Sequence, residues 1–205
     1  AVSGARVPVG LFGELLDLVE SVAGLHRDGR RPSLVPVSRL VQDIVEAMAD
    51  HRPVLELLSV IRNPVEPMSP DRKWSAVAVH GLGLAIAAGL CRRDLLAVGV
   101  ASILARVTEG LPPERAASAL VHLDTLGDLA PQVLQSVHLL AGEGEPGDHD
   151  RVSRVLLVAL AYVELTEGLG GRPCLAPAHA LATLCSGRLA RVGVRLARRM
   201  ALARG

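Results

Sequence analysis

The chain has 205 residues, a formal net charge of +1, and a composition that is 50% hydrophobic but only 1% aromatic. A core of Leu, Val and Ala suits close helix-on-helix packing and supplies few strand formers, so we expect an all-α protein of one or two units. The near-zero net charge argues against nucleic-acid binding by bulk electrostatics, which needs a strong basic excess or a clear basic face. We therefore expect no nucleic-acid partner.

The first predicted elements are three helices. Apolar residues recur at three- and four-residue steps from Leu11 to Leu25, which predicts a helix with one buried face. Ser38 is expected to cap a second helix that runs to about Asp50. Pro53 suits the first turn of a third helix over 54–62.

A proline-rich stretch separates these helices from the rest. Residues 63–70, NPVEPMSP, cannot continue a helix. We therefore predict an N-terminal helical segment over 1–66 and a main helical domain over 67–205.

The main domain is predicted to begin with a long helix that ends near Leu90. Ser69, Pro70 and Asp71 have the order of an N-cap, a first-turn proline and an acidic first-turn residue. Further helices are predicted at about 93–109, 113–126, 130–141, 151–167, 177–185 and 188–203. The predicted architecture is a helical bundle with short connections.

The uncharged run over 74–91 has the length of a membrane span. It contains His80 and three glycines, and the apolar stretch that follows, 95–105, is too short to span. We interpret the run as a buried core helix and expect no membrane span. Because the first residues lack the pattern of a signal peptide, we expect a cytoplasmic protein.

Metal ligation is not indicated by residue spacing. The cysteines Cys91, Cys174 and Cys185 form no C-x-x-C pair, so we expect reduced, mostly packed thiols. The seven histidines show no helical ligand pair, and the acidic loop 142–150 lacks the spacing of an EF-hand. We expect no metal and no cofactor.

Two regions of the chain carry a family resemblance. The segments 152–168, VSRVLLVALAYVELTEG, and 172–181, RPCLAPAHAL, resemble the C-terminal part of HD-GYP domains. The matching residues are Val158, Ala159, Tyr162, Leu165, Thr166, Arg172, Pro173, Leu175, Pro177, Ala180 and Leu181. The segments 73–79 and 89–107 resemble the apolar frame around that family's first histidine and its His-Asp pair. The resemblance implies an HD-domain-like helical bundle preceded by a small N-terminal helical segment.

Active members of this family hydrolyse cyclic dinucleotides with metal ions that are held by His and Asp side chains. In this chain Lys73 stands at the place of the first histidine, Ala105 and Arg106 replace the His-Asp pair, and Leu160 replaces an aspartate. His138 aligns near the family's double histidine. Two cations at former ligand positions would repel a divalent metal. The resemblance therefore implies a domain without catalytic residues or metal ligands.

The leading hypothesis is a pseudoenzyme that binds a protein partner in a bacterial signalling complex, with homodimerisation through apolar helix faces as a further expectation. The alternative is a sensor in which Lys73, Arg106 and His138 bind a cyclic dinucleotide or another anionic ligand in the former metal pocket.

A third hypothesis concerns the last predicted helix, 187–205. Its arginines would bind an acidic partner, a membrane surface or nucleic acid, or would simply remain in water while the apolar face docks on the protein. These arginines are Arg188, Arg191, Arg195, Arg198 and Arg199.

Overall fold

A computed structural model describes residues 8–60, 68–111, 124–141, 151–167 and 174–185 of the chain. All regular secondary structure in these ranges is helical, which confirms the predicted all-α bundle. The α-helices are α1 (Pro8–Arg27), α2 (Leu34–Val60), α3 (Pro70–Ala87), α4 (Arg92–Thr108), α5 (Ala130–Leu140), α6 (Arg151–Glu167) and α7 (Pro177–Cys185), and a 3-10 segment (Asp124–Leu129) precedes α5.

Both ends of α3 are defined by local chemistry. The Ser69 side chain accepts a hydrogen bond from the Arg72 amide at 3.2 Å, and Pro70 occupies the first turn, which confirms the predicted cap. After α3, Gly89 adopts a φ of +69°. The Gly89 and Leu90 amides then bond back to the carbonyls of the last turn, each at 3.0 Å. Glycine suits this reversal because left-handed backbone costs it little.

The structure corrects the expectation of two separate helices after residue 37. A single helix, α2, begins at Leu34, before the predicted Ser38 cap, and continues through Pro53. Pro36 lies in the first turn, where its missing N–H removes no intrahelical bond. Pro53 cannot donate an intrahelical hydrogen bond, but the good helix formers after it continue the same helix.

The helices share one hydrophobic core. Helix α3 packs on α4 and α6, while α1 and α2 pack on both α3 and α4. The core extends without a break from Leu11 to Val163. The predicted boundary between residues 66 and 67 falls within 61–67, which lies outside the described residues. The division of the chain into two units therefore stays a prediction.

Helix α3 is the central element of the bundle. All of residues 73–83 are buried, which confirms that the uncharged run forms a core helix. Among the described helices, none has both the length and the apolar character required to cross a membrane.

Close backbone approach lets α4 reach both α2 and α3. A Cβ added at Gly99 would overlap both methyl groups of Val41, and one added at Gly81 would lie 3.1 Å from a methyl carbon of Val98. These two glycines therefore set how closely the helices pack.

The expectation of packed cysteines is wrong for two of the three. Cys91 precedes α4 and Cys174 precedes α7, and both side chains are exposed. Neither lies on the buried face of a helix, and this explains the difference.

Candidate functional site

Lys73 and Arg106, which the resemblance assigns to former ligand positions, lie at one end of the bundle. Lys73 is near the start of α3 and is only 7% exposed. Its Nζ donates a hydrogen bond to Glu109 Oε1 at 3.1 Å and lies 3.8 Å from Glu164 Oε1. Since Glu109 follows α4 and Glu164 belongs to α6, this ammonium group joins three helices.

Glu109 is the central acceptor of this arrangement. Its other oxygen, Oε2, accepts a hydrogen bond from Trp74 Nε1 at 3.0 Å and lies 4.0 Å from a terminal guanidinium nitrogen of Arg106. Helix α4 ends at this position, where Glu109 takes an extended conformation and Gly110 follows with a φ of +80°. The Glu109 carboxylate therefore contacts three side chains of α3 and α4, namely Lys73, Trp74 and Arg106.

Arg106 has a second carboxylate partner. Its Nε donates to Asp71 Oδ1 at 2.7 Å, and the two side chains are 19% and 26% exposed. A hydrogen bond between charged groups at this distance is a strong one. We call Asp71, Lys73, Arg106, Glu109 and Glu164 the charged cluster.

The charged cluster differs from the positively charged pocket that the sequence suggested. Two cations face three carboxylates, so the formal charge of the five groups is −1 rather than +2. The sequence analysis treated Asp71 only as a helix-start residue and did not consider Glu109 or Glu164. A spacing signal existed, because Glu109 lies one helical turn after Arg106 and Glu164 one turn after Leu160.

An aromatic side chain closes the inner side of the cluster. Trp74 is 3% exposed, and the Lys73 ammonium lies 4.9 Å from the centroid of its ring. This distance is within the range of a cation–π interaction. The indole therefore contacts the cluster through both its face and its N–H group.

The other two positions that the resemblance assigns to metal ligands are apolar and buried. Ala105 on α4 is 3% exposed and Leu160 on α6 is 7% exposed. His138 is half-buried in the last turn of α5, a helix that packs on α4 and α6. Lys73 and Arg106 both contact Glu109, so the structure brings these two predicted pocket residues together.

The arginines of the predicted interaction helix, Arg188, Arg191, Arg195, Arg198 and Arg199, lie outside the described residues, as does the acidic loop 142–150. Within the described ranges, the structure contains no group of three or more His, Cys, Asp or Glu side chains with the arrangement of a metal site.

A surface cavity that the sequence did not suggest lies where α4 and α5 begin. It has a volume of about 490 Å³, and its lining includes Cys91, Gln132 and Gln135. Arg93 donates to the Asp128 carbonyl at 2.7 Å across it. The lining groups are of mixed charge and largely exposed, so the cavity has no evident preference for one class of ligand.

Comparisons of the chain with models of known families, with curated proteins and with solved structures found no match.

Proposed function

We propose that this chain is a non-catalytic HD-GYP-like domain that acts in the bacterial cytoplasm by binding a protein partner. The proposal depends on which residues stand at the positions that the resemblance assigns to metal ligands, and on what these residues contact. These positions hold a buried lysine and an arginine, and both cations are paired with carboxylates.

The convergence of separate sequence segments supports the resemblance. Lys73, Arg106 and Leu160 were assigned to ligand positions from three different stretches of the sequence. In the fold, Lys73 contacts Glu109, which is one turn from Arg106, and Glu164, which is one turn from Leu160. The proximity of these helices is what the resemblance requires, and it supports the proposal in that sense.

The chemistry of the charged cluster supports a non-catalytic role. Metal-dependent phosphodiester hydrolysis needs open coordination positions for a water molecule and the substrate. Here the Lys73 ammonium occupies the space between Glu109 and Glu164, and its charge opposes the entry of a divalent metal ion. With catalysis removed, the helical shape and the apolar frame remain suited to binding another protein.

The anion sensor remains the alternative proposal. It requires Lys73 or Arg106 to exchange a carboxylate partner for a ligand phosphate. The three carboxylates of the charged cluster outnumber its two cations and would repel a phosphate, so the sensor is the second choice. Calorimetric titration with cyclic di-GMP should give no heat of binding. Micromolar binding that is lost in Arg106→Ala would favour the sensor.

The first test of the main proposal is metal content and activity. The purified chain, incubated with iron, manganese or zinc and then desalted, should retain no stoichiometric metal and should not hydrolyse cyclic di-GMP. Turnover by the unmodified chain would overturn the proposal.

A second test restores the ligand types. The fourfold variant Lys73→His, Ala105→His, Arg106→Asp and Leu160→Asp should gain manganese or iron binding if the resemblance places these positions correctly. The matched control omits Leu160→Asp and should bind the metal more weakly, because a metal site needs several converging ligands. A folded fourfold variant that binds no more metal than the unmodified chain would contradict the assignment.

The partner itself is tested with a defined complex. A protein captured by cross-linking in the native cell should be re-expressed and titrated with the purified chain, and saturable binding is the expected result. A chain that ends at Gly187 distinguishes the two proposed surfaces. Loss of binding in the folded truncated chain assigns the interaction to 188–205, and retained binding assigns it to the helical bundle.

A further inference from the structure

Lysine is almost absent from this chain. Lysine and arginine together number 22, and Lys73 is the only lysine. The ε-amine that acyl-transfer reactions modify therefore occurs at one position, inside the charged cluster.

The environment of Lys73 suits an ammonium group. The group is tetrahedral and compact, and it reaches Glu109 on one side, Glu164 on another and the Trp74 ring on a third. The planar guanidinium of arginine is larger and donates in a fixed fork. The geometry thus explains why this position has a lysine, although every other residue counted among the lysines and arginines is arginine.

The same geometry protects the amine. With Lys73 only 7% exposed, an acyl donor cannot approach Nζ along the line that nucleophilic attack needs. The hydrogen bond to Glu109 Oε1 at 3.1 Å and the Glu164 carboxylate at 3.8 Å also occupy two of the directions from which Nζ could be approached. Reaction requires α3 to move away from Glu109 and Glu164.

We propose that Lys73 is a gated acylation site, which an acyl phosphate or acyl thioester reaches only when α3 separates locally from α4 and α6. In the reaction the neutral amine attacks the acyl carbon, an N–C bond forms, and the C–O or C–S bond breaks. The phosphate or thiolate leaves with the electron pair, and the amine proton passes to water. This inference rests on the geometry of Lys73 and not on the proposed partner-binding function.

Acylation would then hold this end of the bundle open. The amide product is larger and carries no charge. Glu109 and Glu164 therefore lose the cation that lies between them in the unmodified protein. The loss of one cation from a buried ion-pair network is destabilising, because the remaining carboxylate charge is less well balanced. The modification therefore converts a transient opening into a lasting one, and Trp74, the only tryptophan, reports it.

The rate of acylation tests the gate. The variant Arg92→Lys supplies a reference lysine on a side chain that is 70% exposed. The chain is treated with acetyl phosphate, and the two acetylated peptides are quantified by mass spectrometry. Lys73 should react at least about 100-fold more slowly than the lysine at position 92, because it reacts only after local opening. That ratio corresponds to about 2.8 kcal/mol of opening free energy. Adding Glu109→Gln should accelerate Lys73 and leave the reference unchanged. Equal rates at the two lysines would overturn the proposal.

The effect of acylation is tested separately. The chain is acetylated in urea and refolded beside Lys73→Arg treated in the same way, so that both carry any acetylated terminal amine. The acetylated chain should show a red-shifted Trp74 emission and faster limited proteolysis, whereas treated Lys73→Arg should match its own untreated form. If acetylated Lys73 leaves emission and proteolysis unchanged, the gate does not stay open and the inference fails.

Discussion

Helices α3, α4 and α6 are held together in two different ways along their length. At their centre, Gly81 lets a Val98 methyl group and Leu156 come close, and Gly99 admits Val41 from α2. At the end where α3 begins, the same helices meet through the charged cluster. The centre depends on shape and excluded volume, whereas the end depends on charge balance, so the two regions should respond to different perturbations.

The largest effect is expected from removing the central cation. Lys73→Met keeps an unbranched apolar stem but leaves Glu109 and Glu164 without the ammonium group. Because breaking a buried ion pair on one side leaves a buried charge, we expect a loss of about 3 kcal/mol in the free energy of unfolding. Urea unfolding followed by circular dichroism measures it. A loss no greater than that of an exposed substitution such as Arg92→Met would show that the cluster contributes no stability.

The next effect tests the close-packed centre. Gly99→Ala adds a methyl group where Val41 already lies, and overpacking of this kind should cost about 2 kcal/mol. Val41→Ala in the same chain should recover part of the loss, because it frees the space that the new methyl group needs. Gly13→Ala is the control, since no atom lies within 4 Å of the added carbon, and it should be neutral or stabilising. An additive double variant would mean that the two side chains do not compete for space.

Glu109→Gln distinguishes charge from hydrogen bonding at the central acceptor. Glutamine retains a carbonyl oxygen for the Trp74 N–H but removes the negative charge opposite Lys73. We expect a loss of about 1.5 kcal/mol, smaller than for Lys73→Met, because Glu164 remains to balance the ammonium. The measurement is the same urea titration with Trp74 fluorescence as a local probe. If fluorescence and circular dichroism report the same midpoint, the bundle unfolds as one unit; an earlier fluorescence midpoint would show that this end opens first.

Sequence patterns predicted what is determined locally. The Ser69 cap, the buried character of 74–83 and most helix positions follow from neighbouring residues, and they are confirmed. The sequence did not predict that α2 is continuous, because Pro53 was taken as the start of a new helix. The residues on both sides of Pro53 nevertheless favour the same helix.

Features that depend on distant residues were harder to predict. The Lys73–Glu109 hydrogen bond joins residues 36 positions apart, and hydrophobic periodicity does not show which charged side chains will meet. The contact of Gly99 with Val41 is of the same kind. The resemblance singled out Lys73 and Arg106, but it gave no information on Asp71, Glu109 and Glu164, since these carboxylates are not among its motifs.

We expect the smallest effect for the Asp71–Arg106 pair of the charged cluster. This prediction tests whether salt screens that pair but leaves the contribution of the buried Lys73 unchanged. Asp71 and Arg106 are 26% and 19% exposed, so Asp71→Asn should cost about 0.5 kcal/mol at low salt, close to the value of a surface pair. Salt at about 1 M reduces the Debye length to about 3 Å, which should erase most of that cost. The cost of Lys73→Met should remain, because water and salt ions have little access to a side chain that is 7% exposed. Unfolding curves of both variants at low and high salt measure the contrast. If salt also removed the cost of Lys73→Met, salt ions would reach Lys73 and its carboxylate partners as easily as they reach Asp71 and Arg106. No part of the charged cluster would then be protected from screening.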